Sequence, residues 1–107
     1  MSRENLLVPP TGPLPHELEH VLVSVPGRLR IVRIISRGHC SPPDFWYDQE
    51  ENEWVSVLAG RARLEVQERG TVELGPGDHL LLTAHLRHRV LWTDPDVDTI
   101  WIAVFYR

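Results

Sequence analysis

Most of the side chains able to do chemistry lie between His39 and His88. His39 and Cys40 are adjacent, the run Asp48-Gln49-Glu50-Glu51-Asn52-Glu53 concentrates carboxylates, and His79, His85 and His88 follow. Carboxylates and imidazoles together support two chemistries, proton transfer near neutral pH and ligation of a divalent metal. A thiol beside an imidazole supports a third, because an adjacent imidazolium makes the thiolate more available. Sequence neighbours rarely align for that task and no oxyanion-hole pattern accompanies them, so Cys40 is expected to be a small, partly buried thiol. All eleven basic residues are arginine, which excludes Schiff-base chemistry and a lysine general base.

These residues must be positioned by strands. The first twenty residues hold Pro9, Pro10, Pro13, Pro15 and Gly12 and are expected to form an extended arm, with one short helical turn over Pro15–His20. Residues 21–107 are expected to form the folded domain. Val21–Val25 is β-rich and stops at Pro26-Gly27, and Arg28–Ser36 is rich in Ile and Val. Glu53–Ala59 is strand-like. In Arg61–Gln67 every second residue is polar, which turns Ala62, Leu64 and Val66 toward a core. Thr71–Leu74, His79–Leu82, Arg89–Trp92 and Thr99–Tyr106 complete the series, separated by Gly, Pro and Asp turns. Short strands at regular spacing, with no long 3.6-period stretch, predict an all-β barrel or sandwich.

At 107 residues the chain holds one modest core. Apolar content of 42% and charged content of 24% are those of an ordinary globular domain. A formal charge of −4 argues against nucleic-acid binding. No apolar run approaches the roughly 18 residues that span a membrane, and a single cysteine allows no internal disulfide. The expectation is a cytoplasmic protein.

Spacing then carries a resemblance. Glu53, six residues and Gly60, followed by Pro76-Gly77-Asp78 and by His88 ten residues after Asp78, resemble the two cupin motifs, G-x5-H-x-H-x3-4-E-x6-G and the looser Gly-Asp…His form of the second. The likeness covers about residues 38–92 and is to small single-domain bacterial cupins. It implies a single-domain cupin β-barrel of the double-stranded β-helix or jelly-roll type. Counting back from Glu53, the histidine pair of the first motif falls on Tyr47 and Gln49, or on Trp46 and Asp48 with the longer gap. Neither register holds a histidine.

The resemblance implies Glu53 and His88 at ligand positions for Fe, Mn, Zn or Ni, with Asp48 as a third ligand and Gln49, His85 and His39 as substitutes. Without a metal, Glu53 and His88 would hydrogen-bond each other or a water. The dense aromatic group around Trp46, Tyr47 and Trp54 is expected, with Val55 and Val90, to line a lumen pocket. Three functions follow: a barrel that binds a small molecule or a divalent metal around Glu53 and His88, a metal-dependent oxygenase, isomerase or decarboxylase, and a non-catalytic oligomeric sensor or structural module. A homodimer, joined through the arm and the first strand, is compatible with all three.

Overall fold

The structure is a computed structural model describing residues 1–107. Eight strands follow in chain order, β1 (Leu18–Val25), β2 (Leu29–Ser36), β3 (Asn52–Ala59), β4 (Ala62–Val66), β5 (Gly70–Leu74), β6 (His79–Leu82), β7 (His88–Thr93) and β8 (Thr99–Tyr106). They form a five-stranded sheet in the order β1-β2-β8-β3-β6 and a three-stranded sheet in the order β5-β4-β7, with every pairing antiparallel. There is no helix. The all-β expectation matches.

Alternation decides what each strand buries. Ala62, Leu64 and Val66 are all buried, while Arg63 between them is exposed. Together with Val55, Val57, Leu74, Leu82, Trp101 and Ala103 they make the core between the two sheets. A fully buried valine such as Val57 contributes roughly 1.5–3 kcal/mol relative to exposure. In β8, Thr99, Ile100 and Trp101 are consecutive and all buried, as its apolar character on both faces predicts.

Two local expectations are corrected. The helical turn over Pro15–His20 does not form: the chain bends at Pro15-His16 and is already extended by Leu18. Pairing with β2 holds it open, since Leu18 meets Ile35 and Glu19 meets Ile34 in register. Tertiary ladder bonds therefore override a weak local preference. Cys40 is exposed rather than partly buried, because it sits in the irregular loop after β2.

Upstream of β1 the arm is irregular and is tied to β2 by arginines. Arg33 donates to the carbonyls of Leu6 and Val8, and Arg37 donates to that of Gly12. The Arg37 guanidinium also grips Asp98 through two bonds of 2.6 and 3.0 Å.

Candidate functional site

A cavity of about 550 Å³, counted to its open mouth, lies between the sheets. Its walls are Ile34, Val55, Leu64, Leu82, Val90, Trp101 and Phe105, and its polar groups are Glu17, Glu19, Tyr47, Gln49, Glu53 and His88. The antiparallel register builds it row by row. Glu19 faces Ile34 and Ile34 faces Trp101, while Glu53 lies between Leu82 and Phe105.

Glu53 and His88 come together from different sheets. His88 Nε2 is 3.4 Å from Glu53 Oε1, and both residues are buried, at 6% and 9% exposed. The other ring nitrogen, Nδ1, is 3.0 Å from the Leu86 carbonyl, which can only accept, so Nδ1 carries a proton. Gln49 Nε2 donates to the same Glu53 oxygen at 3.0 Å. Burial is the largest single influence on His88 and pulls its pKa down. The hydrogen bond to Glu53, the bond to Leu86 and the charge of Glu53 together outweigh it, and the pKa is raised. The arrangement favours an imidazolium–carboxylate pair facing the lumen.

Tyr47 completes this end. Its backbone exchanges two hydrogen bonds with that of His88, at 2.7 and 3.2 Å, and its ring stacks on the imidazole at a centroid separation of 5.3 Å. Burial, then the charges of Glu17, Glu19 and Glu53, raise the pKa of the Tyr47 phenol.

Glu17 and Glu19 escaped the sequence reading. Both reach the cavity at the entry to β1, Glu17 from the residue just before the strand and Glu19 from within it, and residues two apart in extended chain share a face. Ser36 Oγ donates to Glu17 Oε2 at 2.6 Å, and the Trp101 indole N–H donates to Ser36 Oγ at 3.1 Å. Desolvation raises the Glu17 pKa, opposed in part by the Ser36 bond. The Glu17-Leu18-Glu19 alternation was the available signal, masked by taking Pro15 as a helix start.

Of the residues expected at the site, Glu53, His88, Gln49, Tyr47, Val55 and Val90 line the cavity. Asp48 does not: its carboxylate pairs outside with His85 Nδ1 at 2.7 Å, both side chains about half exposed or more. His85 lies in a tight turn at φ 63°, and its backbone N–H donates to Gln49 O. His39 accepts a bond from the Arg37 N–H and stays in its loop. Trp46 lies beneath the guanidinium groups of Arg87 and Arg89. Trp54, between inward Glu53 and Val55, points to the opposite face and donates to His79 Nδ1 at 3.3 Å. Neither tryptophan lines the cavity, correcting the pocket expected from the aromatic cluster. β alternation separates Trp54 from its neighbours, and the isolated bridge of Tyr47 to His88 admits Tyr47 and Gln49 while Trp46 and Asp48 turn away.

The donor set does not fit a resident metal. No group of three or more His, Cys, Asp or Glu side chains is placed to hold an ion. Glu53 and His88 are the only ionisable pair at the expected position, and two donors leave a transition metal weakly held.

A double-sheeted antiparallel barrel with a partly polar lumen defines a class of ligand-binding folds. The chain belongs to the cupin family: the family model described as "Cupin domain" matches residues 31–105. A protein from Ralstonia eutropha JMP134, named as a candidate mannose-6-phosphate isomerase, has a solved structure that matches with a TM-score of 0.92 and 42% identity, covering 98% of this chain and 97% of that one. A cupin superfamily protein from Desulfitobacterium hafniense DCB-2 matches at 15% identity and a TM-score of 0.73, over 90% of this chain and 82% of its own. The structure named FeII HppE matches at 18% identity and 0.70, over 85% and 50%. The last two likenesses concern the fold alone. No curated protein matches the chain. No helix is long and apolar enough to cross a membrane.

Proposed function

We propose that this cupin barrel binds a small organic molecule in its lumen without a resident metal. The observation that carries the reading is the cavity itself, apolar along Val55, Leu64, Leu82 and Val90 and polar at one end, where Tyr47, Gln49, Glu53 and His88 converge. The apolar wall supplies affinity and the convergent polar groups fix orientation. The 42% identical relative is named for a sugar phosphate substrate. No arginine or lysine lines this lumen, which supports a ligand without a phosphate group. The exposed valines of edge strand β1, Val21, Val23 and Val25, support the expected homodimer.

A thermal-shift screen of chelator-treated protein against amines, polyols, carboxylates and sugar phosphates tests the reading. The expected result is a concentration-dependent rise in Tm for one class, abolished by Val55→Trp, which fills the lumen. A hit that survives Val55→Trp unchanged, or no hit from any class, would sink it.

A second reading, proton transfer to and from the bound molecule, is favoured by the buried Glu53–His88 contact at 3.4 Å. In that case Glu53→Gln abolishes turnover of the identified ligand while still binding it.

A further inference from the structure

We infer that the lumen selects a cationic ligand, a protonated amine carried on a compact apolar body, because three carboxylates line it and no arginine or lysine does. The inference rests on the lumen-binding reading above. Three carboxylates reach the cavity, Glu17 from just before β1, Glu19 from β1 and Glu53 from β3, and no arginine or lysine joins them.

The chain has eleven arginines, so the imbalance is not for want of cations. They are used elsewhere: Arg30 pairs with Glu51, Arg37 with Asp98 and Arg89 with Glu65. Neither Glu17 nor Glu19 enters any of the ion pairs of the molecule. His88 contacts Glu53, and the His39 imidazole acts on Glu17 only through a weaker charge interaction.

Acceptor sites remain open as well. Glu53 is only 9% exposed, yet its two polar contacts, from Gln49 and His88, both fall on Oε1. Its Oε2 and Glu17 Oε1 receive no hydrogen bond from the protein. A carboxylate oxygen with no protein donor at the edge of a largely apolar cavity is an open acceptor for a ligand that can donate to it. Donors only, with a positive charge, describe an ammonium group. The indole of Trp101 adds a ring to the same wall, and a ring face attracts cations. The burial that disfavours ionised Glu17 and the acidic field that raises the Tyr47 phenol are further signs of uncompensated negative charge.

Three probes of one length separate charge from shape: n-pentylammonium, 1-pentanol and pentanoate. Each is titrated into chelator-treated full-length protein, with binding followed by calorimetry and by the NMR signal of the Trp101 indole N–H. The expected result is binding of the ammonium about tenfold or more tighter than the alcohol, and no binding of pentanoate. Glu17→Gln and Glu19→Gln each weaken the ammonium about three- to tenfold and leave the alcohol unchanged. A cooperative thermal transition and an unchanged β-sheet circular dichroism spectrum of the free variants show that they are folded. Equal affinity for ammonium and alcohol overturns the charge selectivity and leaves the lumen-binding reading standing. Tighter binding of pentanoate, or of mannose 6-phosphate as a fourth probe, also overturns it. Failure of all four to move lumen signals overturns both.

Discussion

His88 Nε2 and Glu53 Oε1 meet at 3.4 Å across the interior of the barrel, one from β7 and the other from β3 in the opposite sheet. The contact is a polar tie between sheets that pack mainly through Val, Leu, Ala and Trp side chains. Its proton inventory is set locally, since Leu86 O takes the Nδ1 proton and leaves Nε2 to face the carboxylate. Whether Nε2 is protonated then depends on Glu53.

That dependence has a definite sign. His88 has a raised pKa in the folded protein, so its share of stability is complete below the ordinary imidazole value of about 6.5 and is lost as pH rises through the folded value. The Tm advantage of wild type over His88→Gln is therefore expected to shrink as pH rises above the ordinary imidazole value. In Glu53→Gln the burial effect is no longer outweighed, and NMR titration of the His88 ring should give a pKa below the ordinary value. An unchanged His88 titration in that variant would show that Glu53 does not hold the proton.

Gly60 explains part of the motif spacing. It turns the chain from β3 into β4 at φ +80°, and an added Cβ would stand 2.5 Å from Thr99 Oγ1, 2.6 Å from Thr99 Cα and 2.7 Å from Asp98 O. Two of those three atoms are backbone and cannot swing away. Gly60→Ala is expected to cost about 2–4 kcal/mol, from the left-handed conformation and the overlap together, read as a lower urea midpoint with unchanged slope. A loss below about 1 kcal/mol would mean that the turn relaxes.

Glu17 is expected to trade stability for function. Its raised carboxyl pKa means that the fold resists its ionised form, so stability falls as pH rises from the ordinary carboxylate range through the folded value. Glu17→Gln keeps an acceptor for Ser36 and removes the charge. At neutral pH the variant should melt about 1–3 °C higher than wild type, and the gain should vanish in acid. A lower melting temperature at neutral pH would show that the carboxylate stabilises the fold.

How far the sequence spoke follows from periodicity. Ala62, Leu64 and Val66 alternate with polar residues, so their burial was legible. The loop from Arg37 to Glu51 has no period, so its sequence left Tyr47 and Gln49 level with Trp46 and Asp48 as candidates for the lumen. One backbone bridge decides, because Tyr47 pairs with His88 and brings Gln49 to Glu53. The carboxylates of Glu17 and Glu19 stayed hidden for a related reason. What extends Leu18 and Glu19 is the ladder with Ile35 and Ile34, and such distant partners leave no local trace.

The same bridge makes the metal question testable in both directions. Glu53 and His88 offer two donors, while Tyr47 and Gln49 fill the positions that the cupin motif gives to its histidine pair. Metal analysis of protein purified without chelator or nickel resin should therefore find far less than one Fe, Mn, Zn or Ni per chain. Gln49 already approaches Glu53 Oε1 at 3.0 Å, and the Tyr47 ring lies against His88, so both positions point where an imidazole would be needed. Tyr47→His with Gln49→His should raise zinc affinity steeply. A full four-donor zinc site is worth about 10–16 kcal/mol, or roughly 3 kcal/mol and a hundredfold for each donor. Competition with a chromophoric chelator measures the gain. Stoichiometric metal in the wild type would show that Glu53 and His88 recruit a donor that is elsewhere in this structure. No gain in the double variant would show that positions 47 and 49 do not converge on the Glu53–His88 contact.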